Sequence, residues 1–111
     1  LKMYGDTRLA IFIIEVVFSI ERENKRPILI HDVVCVKSSL GSALIFLKRY
    51  GIRDGWEEPI YEESKFECYM ISHEYLDQED GPQEVYYYNN RFERIMNIKD
   101  HRPYKEDGYQ N

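Results

Sequence analysis

At 111 residues, with 43% hydrophobic and 14% aromatic content, the chain carries enough apolar surface for one folded domain, leaving no room for a second and excluding wholesale disorder. Its formal charge of −5 is unevenly spread: residues 1–55 hold nine bases against six acids, and residues 56–111 hold fourteen acids against six bases. An acidic half of this kind repels nucleic acid and acidic membranes and attracts basic protein surfaces.

Residues 8–20 open the chain as a strand. Ala10, Phe12, Ile14, Val16, Phe18 and Ile20 form an unbroken apolar face at period two, opposed by Leu9, Ile11, Ile13, Glu15, Val17 and Ser19. Apolar residues on both faces place this strand centrally, partly covered on both sides. It is not read as a signal peptide or a membrane span: no small-residue cleavage site follows it, it is too short, and Glu15 interrupts it. Met3 is read as the natural start. The polar stretch 21–26 forms a loop ended by Pro27, and residues 28–37 return as the antiparallel partner.

Ser38 and Ser39 then cap a helix over residues 39–50. Leu40, Ala43, Leu44 and Leu47 recur at helical spacing, Lys48 and Arg49 occupy the last turn where the dipole favours cations, and Gly51 suits the C′ position. The helix is apolar on most sides and is expected to lie buried on the sheet. Residues 51–64 read as a long loop containing Asp54-Gly55 and Pro59. Residues 65–76 make a third strand, with Phe66, Cys68 and Met70 alternating against Tyr69, Ile71 and Tyr75. After a turn at 77–82, residues 85–88 form a fourth strand. Asn89-Asn90 turns it into a fifth over 91–98, for which a short helix is the competing reading. The ordered core spans about 8–98, and residues 99–111 read as a polar, frayed tail.

This order predicts one α+β domain in two layers: an antiparallel sheet of four to five strands with one helix packed on a face.

The sequence Tyr75-Leu76-Asp77-Gln78-Glu79-Asp80-Gly81-Pro82-Gln83-Glu84-Val85-Tyr86 carries an Asp-Gly-x-x-Glu-Val-Tyr signature. With the long first hairpin and the junction Val36-Lys37-Ser38-Ser39 leading to Ala43, it resembles a small bacterial family known as domain of unknown function 4288. The resemblance covers about residues 8–91, and only the segment from Asp80 to Tyr86 is specific. It brings no catalytic residues. It implies an association with bacterial toxin genes, which fits an immunity role. The acidic loop 57–63 and the tail after Arg91 depart from the family pattern.

Catalytic and metal chemistry find little support in the residues. Cys35 and Cys68 lie in apolar alternation without C-x-x-C spacing, so both are expected buried, free and inert, with a disulfide between them as the alternative. His31 cannot pair with Asp32, nor His73 with Glu74, because adjacent strand residues face opposite sides. A metal held by His31, His73 and a cysteine lacks zinc spacing, and His101 is expected in solvent. Ser38 and Ser39 have no nucleophile elbow around them. Asp77 to Gly81 lacks the length of a calcium loop. No metal, cofactor or catalytic residue is therefore expected, and the chain is not read as an enzyme. Tyr86, Tyr87 and Tyr88 alternate in direction, so at least one side of that strand is core.

The most informative stretch lies between Glu57 and Glu84, where ten acids face a single base, Lys65. Acid mixed with large rings is the composition of a protein-binding face. Trp56, Glu57, Glu58, Tyr61, Glu62, Glu63, Asp77, Glu79 and Asp80 are the expected partner-binding residues. The expected function is a cytoplasmic immunity protein that occludes a basic toxin, a nuclease above all, without binding nucleic acid or membrane. A small adaptor or regulatory protein, self-associating through a strand edge, is the alternative; the sequence leaves the oligomeric state open.

Overall fold

In the computed structural model, residues 9–51, 63–77 and 81–104 are described, and they bear out the α+β arrangement: one antiparallel sheet and one helix. The elements are β1 (Ala10–Arg22), β2 (Lys25–Lys37), α1 (Leu40–Tyr50), β3 (Ser64–Tyr75), β4 (Glu84–Tyr88) and β5 (Arg94–Ile95). The five strands lie in the order β2-β1-β3-β4-β5. β1 is flanked on both sides, as its two apolar faces demand. β2 and β3 both run antiparallel to β1 and so parallel to each other. A parallel pair needs a crossover, and α1 makes it, packing against β1, β2 and β3.

Local chemistry explains the elements. Ser39, extended at φ −147°, caps the helix by accepting from the Ser42 backbone N–H at 3.1 Å, a bond worth about 1 kcal/mol. The helix is not buried as its composition implied: only Ala43 and Leu47 are fully buried against the sheet, and Ile45 is turned to the surface, because α1 is covered by the sheet on one side alone. Gly51 differs from expectation: it stays right-handed at φ −58°, its N–H still bonded to the Leu47 carbonyl. Its glycine is required by close approach instead, since an added Cβ would meet the Leu47 carbonyl at 2.8 Å and the Tyr69 hydroxyl at 3.2 Å.

Several boundaries move for identifiable reasons. The first hairpin is tighter than the loop at 21–26 implied. Arg22 pairs with Lys25, so Glu23 and Asn24 alone make the turn, with Asn24 at φ 60°, a conformation asparagine tolerates. Pro27 lies inside β2 instead of ending the loop, because β2 is an edge strand where a missing N–H costs nothing. The second turn places its positive φ on Phe92 (64°) and not on the asparagines, and shortens the fifth strand to Arg94–Ile95. Residues expected as a frayed tail are partly held: the Tyr104 N–H bonds the Arg94 carbonyl, and the Arg94 guanidinium lies 4.8 Å from the Tyr86 ring and 5.2 Å from the Tyr104 ring.

The sheet has two covered faces. Ile14, Val16, Phe18, Tyr69, Ile71 and Tyr88 pack with Ala43 and Leu47 of the helix. On the reverse face, Val17, Cys68 and Met70 pack with Ile95, against which Val85, Tyr87 and Ile98 close. Phe66 belongs to the helix side, whereas simple alternation grouped it with Cys68 and Met70. The reason is a β-bulge: Val17 pairs with Cys68 and the next residue, Phe18, pairs with Phe66, so Glu67 has no partner on β1 and the face switches there. No helix among the described residues is long and apolar enough to cross a membrane.

Candidate functional site

Of the nine expected partner-binding residues, Trp56, Glu57, Glu58, Tyr61, Glu62, Glu79 and Asp80 lie outside the described residues. Glu63 and Asp77 are described, and both are exposed. They flank β3 at its opposite ends, which at about 3.3 Å per residue separates them by roughly 45 Å. The acidic stretch is therefore divided by a strand into two ends. Glu63 stands beside the β1–β2 hairpin. Asp77 stands beside the start of β1, where the Leu76 N–H bonds the Leu9 carbonyl at 3.0 Å.

The other acids of the stretch that are described have separate roles. Glu84 is exposed and accepts from the Tyr86 hydroxyl at 2.5 Å. Glu74 is half-buried on the sheet opposite Ile11. Glu67 is drawn inward, as shown below. The tyrosine run is absorbed by packing, Tyr86 and Tyr88 on the helix side and Tyr87 on the reverse, so both sides of β4 are core.

The titratable candidates separate in the same way. Cys68 is fully buried, and burial followed by the neighbouring Glu67 charge pushes its thiol up to about 12. Cys35 is half-buried, contrary to the expectation of a fully buried thiol, because β2 is covered on one side only. Both are free, on opposite faces of the sheet. His31 finds its partner across the strand pair, its Nδ1 lying 2.8 Å from Glu15 Oε1. His73 stacks on Phe12 at 4.5 Å and lies 5.1 Å from Tyr75, with Nε2 buried and unpaired. β1 separates the two histidines, and the described residues contain no group of three metal-ligating side chains.

One polar constellation does form around the bulge. Ser19 is 3% exposed and donates its hydroxyl to Glu67 Oε2 at 2.5 Å. Ser19 follows Val17 at the end of its face of β1, and the bulge leaves Glu67 free to reach it. His101 approaches the other oxygen, with Nε2 3.9 Å from Glu67 Oε1. His101 is placed there by Asn89, whose Nδ2 donates to the His101 carbonyl at 3.2 Å. Asn89 is itself buried and also donates to Glu93, while its Oδ1 accepts the backbone N–H groups of Arg91 and Glu93. Ser19, Glu21, Lys65, Glu67, Lys99 and His101 line a cavity of about 270 Å³ under the first hairpin.

Chemically this is not a nucleophile relay. In such a relay the imidazole takes the hydroxyl proton; here the carboxylate stands between serine and histidine, and the hydroxyl is buried. The arrangement is a buried carboxylate held by a hydroxyl and facing an imidazole, and it can bind and orient polar groups. In the sequence Glu67 is one acid among the ten between Glu57 and Glu84. The available signal is Ser19, which with Glu15 is one of two polar residues between Ala10 and Ile20.

Comparison with family models, curated proteins and solved structures returned no match.

Proposed function

We propose that this chain is a non-catalytic binding protein, specifically an immunity protein that acts in the bacterial cytoplasm by occluding a basic toxin domain, with a nuclease as the best fit. The observation that carries the reading is the run of ten acids against one base between Glu57 and Glu84, with Trp56 and Tyr61 beside it. A nuclease groove is cationic because it holds phosphates; an acidic surface with aromatic anchors imitates the polyanion and steers fast association. The exposure of Glu63, Asp77 and Glu84 supports it. Expressed with a candidate toxin encoded beside it, the chain should restore growth and abolish the toxin's activity in vitro. Changing Glu57, Glu58, Glu62 and Glu63 together to glutamine should slow capture, most at low salt. An unchanged association rate and salt dependence would reduce the acidic stretch to a solvated surface.

A second reading is a self-associating adaptor, favoured by one observation. β2 is a 13-residue edge strand with Ile28, Leu29, Val33 and Val36 exposed. Long apolar edges recruit further strands, although Pro27, Lys25 and Lys37 guard its ends. Sedimentation of the chain alone separates the readings: the adaptor self-associates, and substituting Val33 with lysine disperses it.

A further inference from the structure

The cavity under the β1–β2 hairpin has a charge pattern that partner binding through the acidic stretch does not use. Lys65 and Lys99 are among its lining residues, and neither makes an ion pair among the described residues. Glu21 also lines it and likewise makes no ion pair among the described residues. Glu67 is already committed at one oxygen to Ser19, but His101 stands 3.9 Å from the other, beyond hydrogen-bond distance, so acceptor capacity remains. Both signs of charge thus border one space of about 270 Å³.

We propose that this cavity binds a small zwitterion of the α-amino-acid class, its carboxylate met by Lys65 and Lys99 and its ammonium by Glu67. A simple anion in the same space would be brought against Glu21 and Glu67, and a simple cation against the two lysines. Only a molecule carrying both charges a short distance apart offsets both sets. The volume favours a small ligand: sites for drug-sized molecules run from about 300 to 1,000 Å³, and this one, at about 270 Å³, lies at the low end. Two of its walls are the paired strands β1 and β3, and Asn89 fixes the third by holding His101, so the site needs no rearrangement to form. Because both lysines are exposed, binding in the millimolar range is the expected strength.

Titration of the full chain followed by amide NMR tests the assignment, with L-alanine as the zwitterion, acetate as the lone anion and methylammonium as the lone cation. L-alanine should shift the amides of Ser19, Lys65, Glu67 and His101 saturably, with acetate and methylammonium weaker by about tenfold. Glu67→Gln keeps an acceptor for Ser19 and should weaken L-alanine by a similar factor. Lys65→Met with Lys99→Met should abolish the shifts, and Lys48→Met with Arg49→Met, on the far helix, should not. Three results overturn the proposal: no saturable shift up to about 100 mM L-alanine, acetate binding as strongly as L-alanine, or the Lys65/Lys99 double variant binding like the parent.

Discussion

The Ser19 hydroxyl and the Glu67 carboxylate meet at 2.5 Å across β1 and β3, with Ser19 3% exposed and the Glu67 side chain 13% exposed. A hydrogen bond to a charged acceptor in such a place contributes about 1.5–3 kcal/mol. Removing the donor leaves a mostly buried carboxylate short of a partner. Ser19→Ala should therefore lower unfolding free energy by about that amount in urea, while Ser19→Thr, which keeps the hydroxyl, should lose less. Lys65→Met nearby, at an exposed position, should stay within about 0.5 kcal/mol of the parent.

Asn89 joins two segments with one side chain. Its four side-chain bonds tie the turn after β4 to Glu93 and to the backbone at His101. Asn89→Ala should cost about 2–3 kcal/mol by leaving buried groups unpaired, and should speed hydrogen exchange at Arg91 and Glu93. Exchange unchanged at those two amides would show that the turn stands without the side chain.

Alkaline pH should unfold the protein through groups that stay neutral in the native state. Cys68 is pushed from 9.0 to about 12, first by burial and then by Glu67. Tyr86 is pushed up chiefly by its bond to Glu84, and Tyr88 by burial. Each folded value lies above the unfolded one, so the unfolded chain releases these protons first. The Cys68 contribution is fully present below pH 9 and is lost as pH rises towards about 12. Chemical denaturation on either side of pH 9 should show that decline, and Cys68→Ala should flatten part of it. In the native protein near neutral pH, thiol reagents should label Cys35 slowly and leave Cys68 untouched until denaturant is added.

In the partner complex, aromatic and charged residues should divide the kinetics between them. Trp56→Ala or Tyr61→Ala should speed dissociation, costing about 2 kcal/mol or more where either ring is an anchor. Asp77→Asn should change association independently of Glu63→Gln, because the two acids stand at opposite ends of β3 and distant effects add. Surface plasmon resonance of the single and paired variants gives both answers. Strong coupling between Asp77 and Glu63 would mean that the partner does not span β3 as two separate ends.

Elements whose information is local and repeated are legible in the amino-acid order alone. The period-two faces from Ala10 to Ile20 made β1 a two-sided central strand, and the spacing of Leu40, Ala43, Leu44 and Leu47 with Ser39 ahead made α1. The alternation of Tyr86, Tyr87 and Tyr88 was legible for the same reason, since direction in a strand follows from parity alone. Other features depend on how distant segments fit, which parity cannot carry. One unpaired residue at Glu67 reverses the faces of β3, sending Phe66 to the helix and Glu67 to Ser19, and nothing local in β3 marks the place because a bulge arises from two strands fitting each other. The edge position of β2 let Pro27 enter a strand, and Asn89, distant in sequence from Ser19, positioned His101 beside Glu67. Pairwise contacts between distant residues set these features, whereas the strands and helix were set by side chains repeating along one segment.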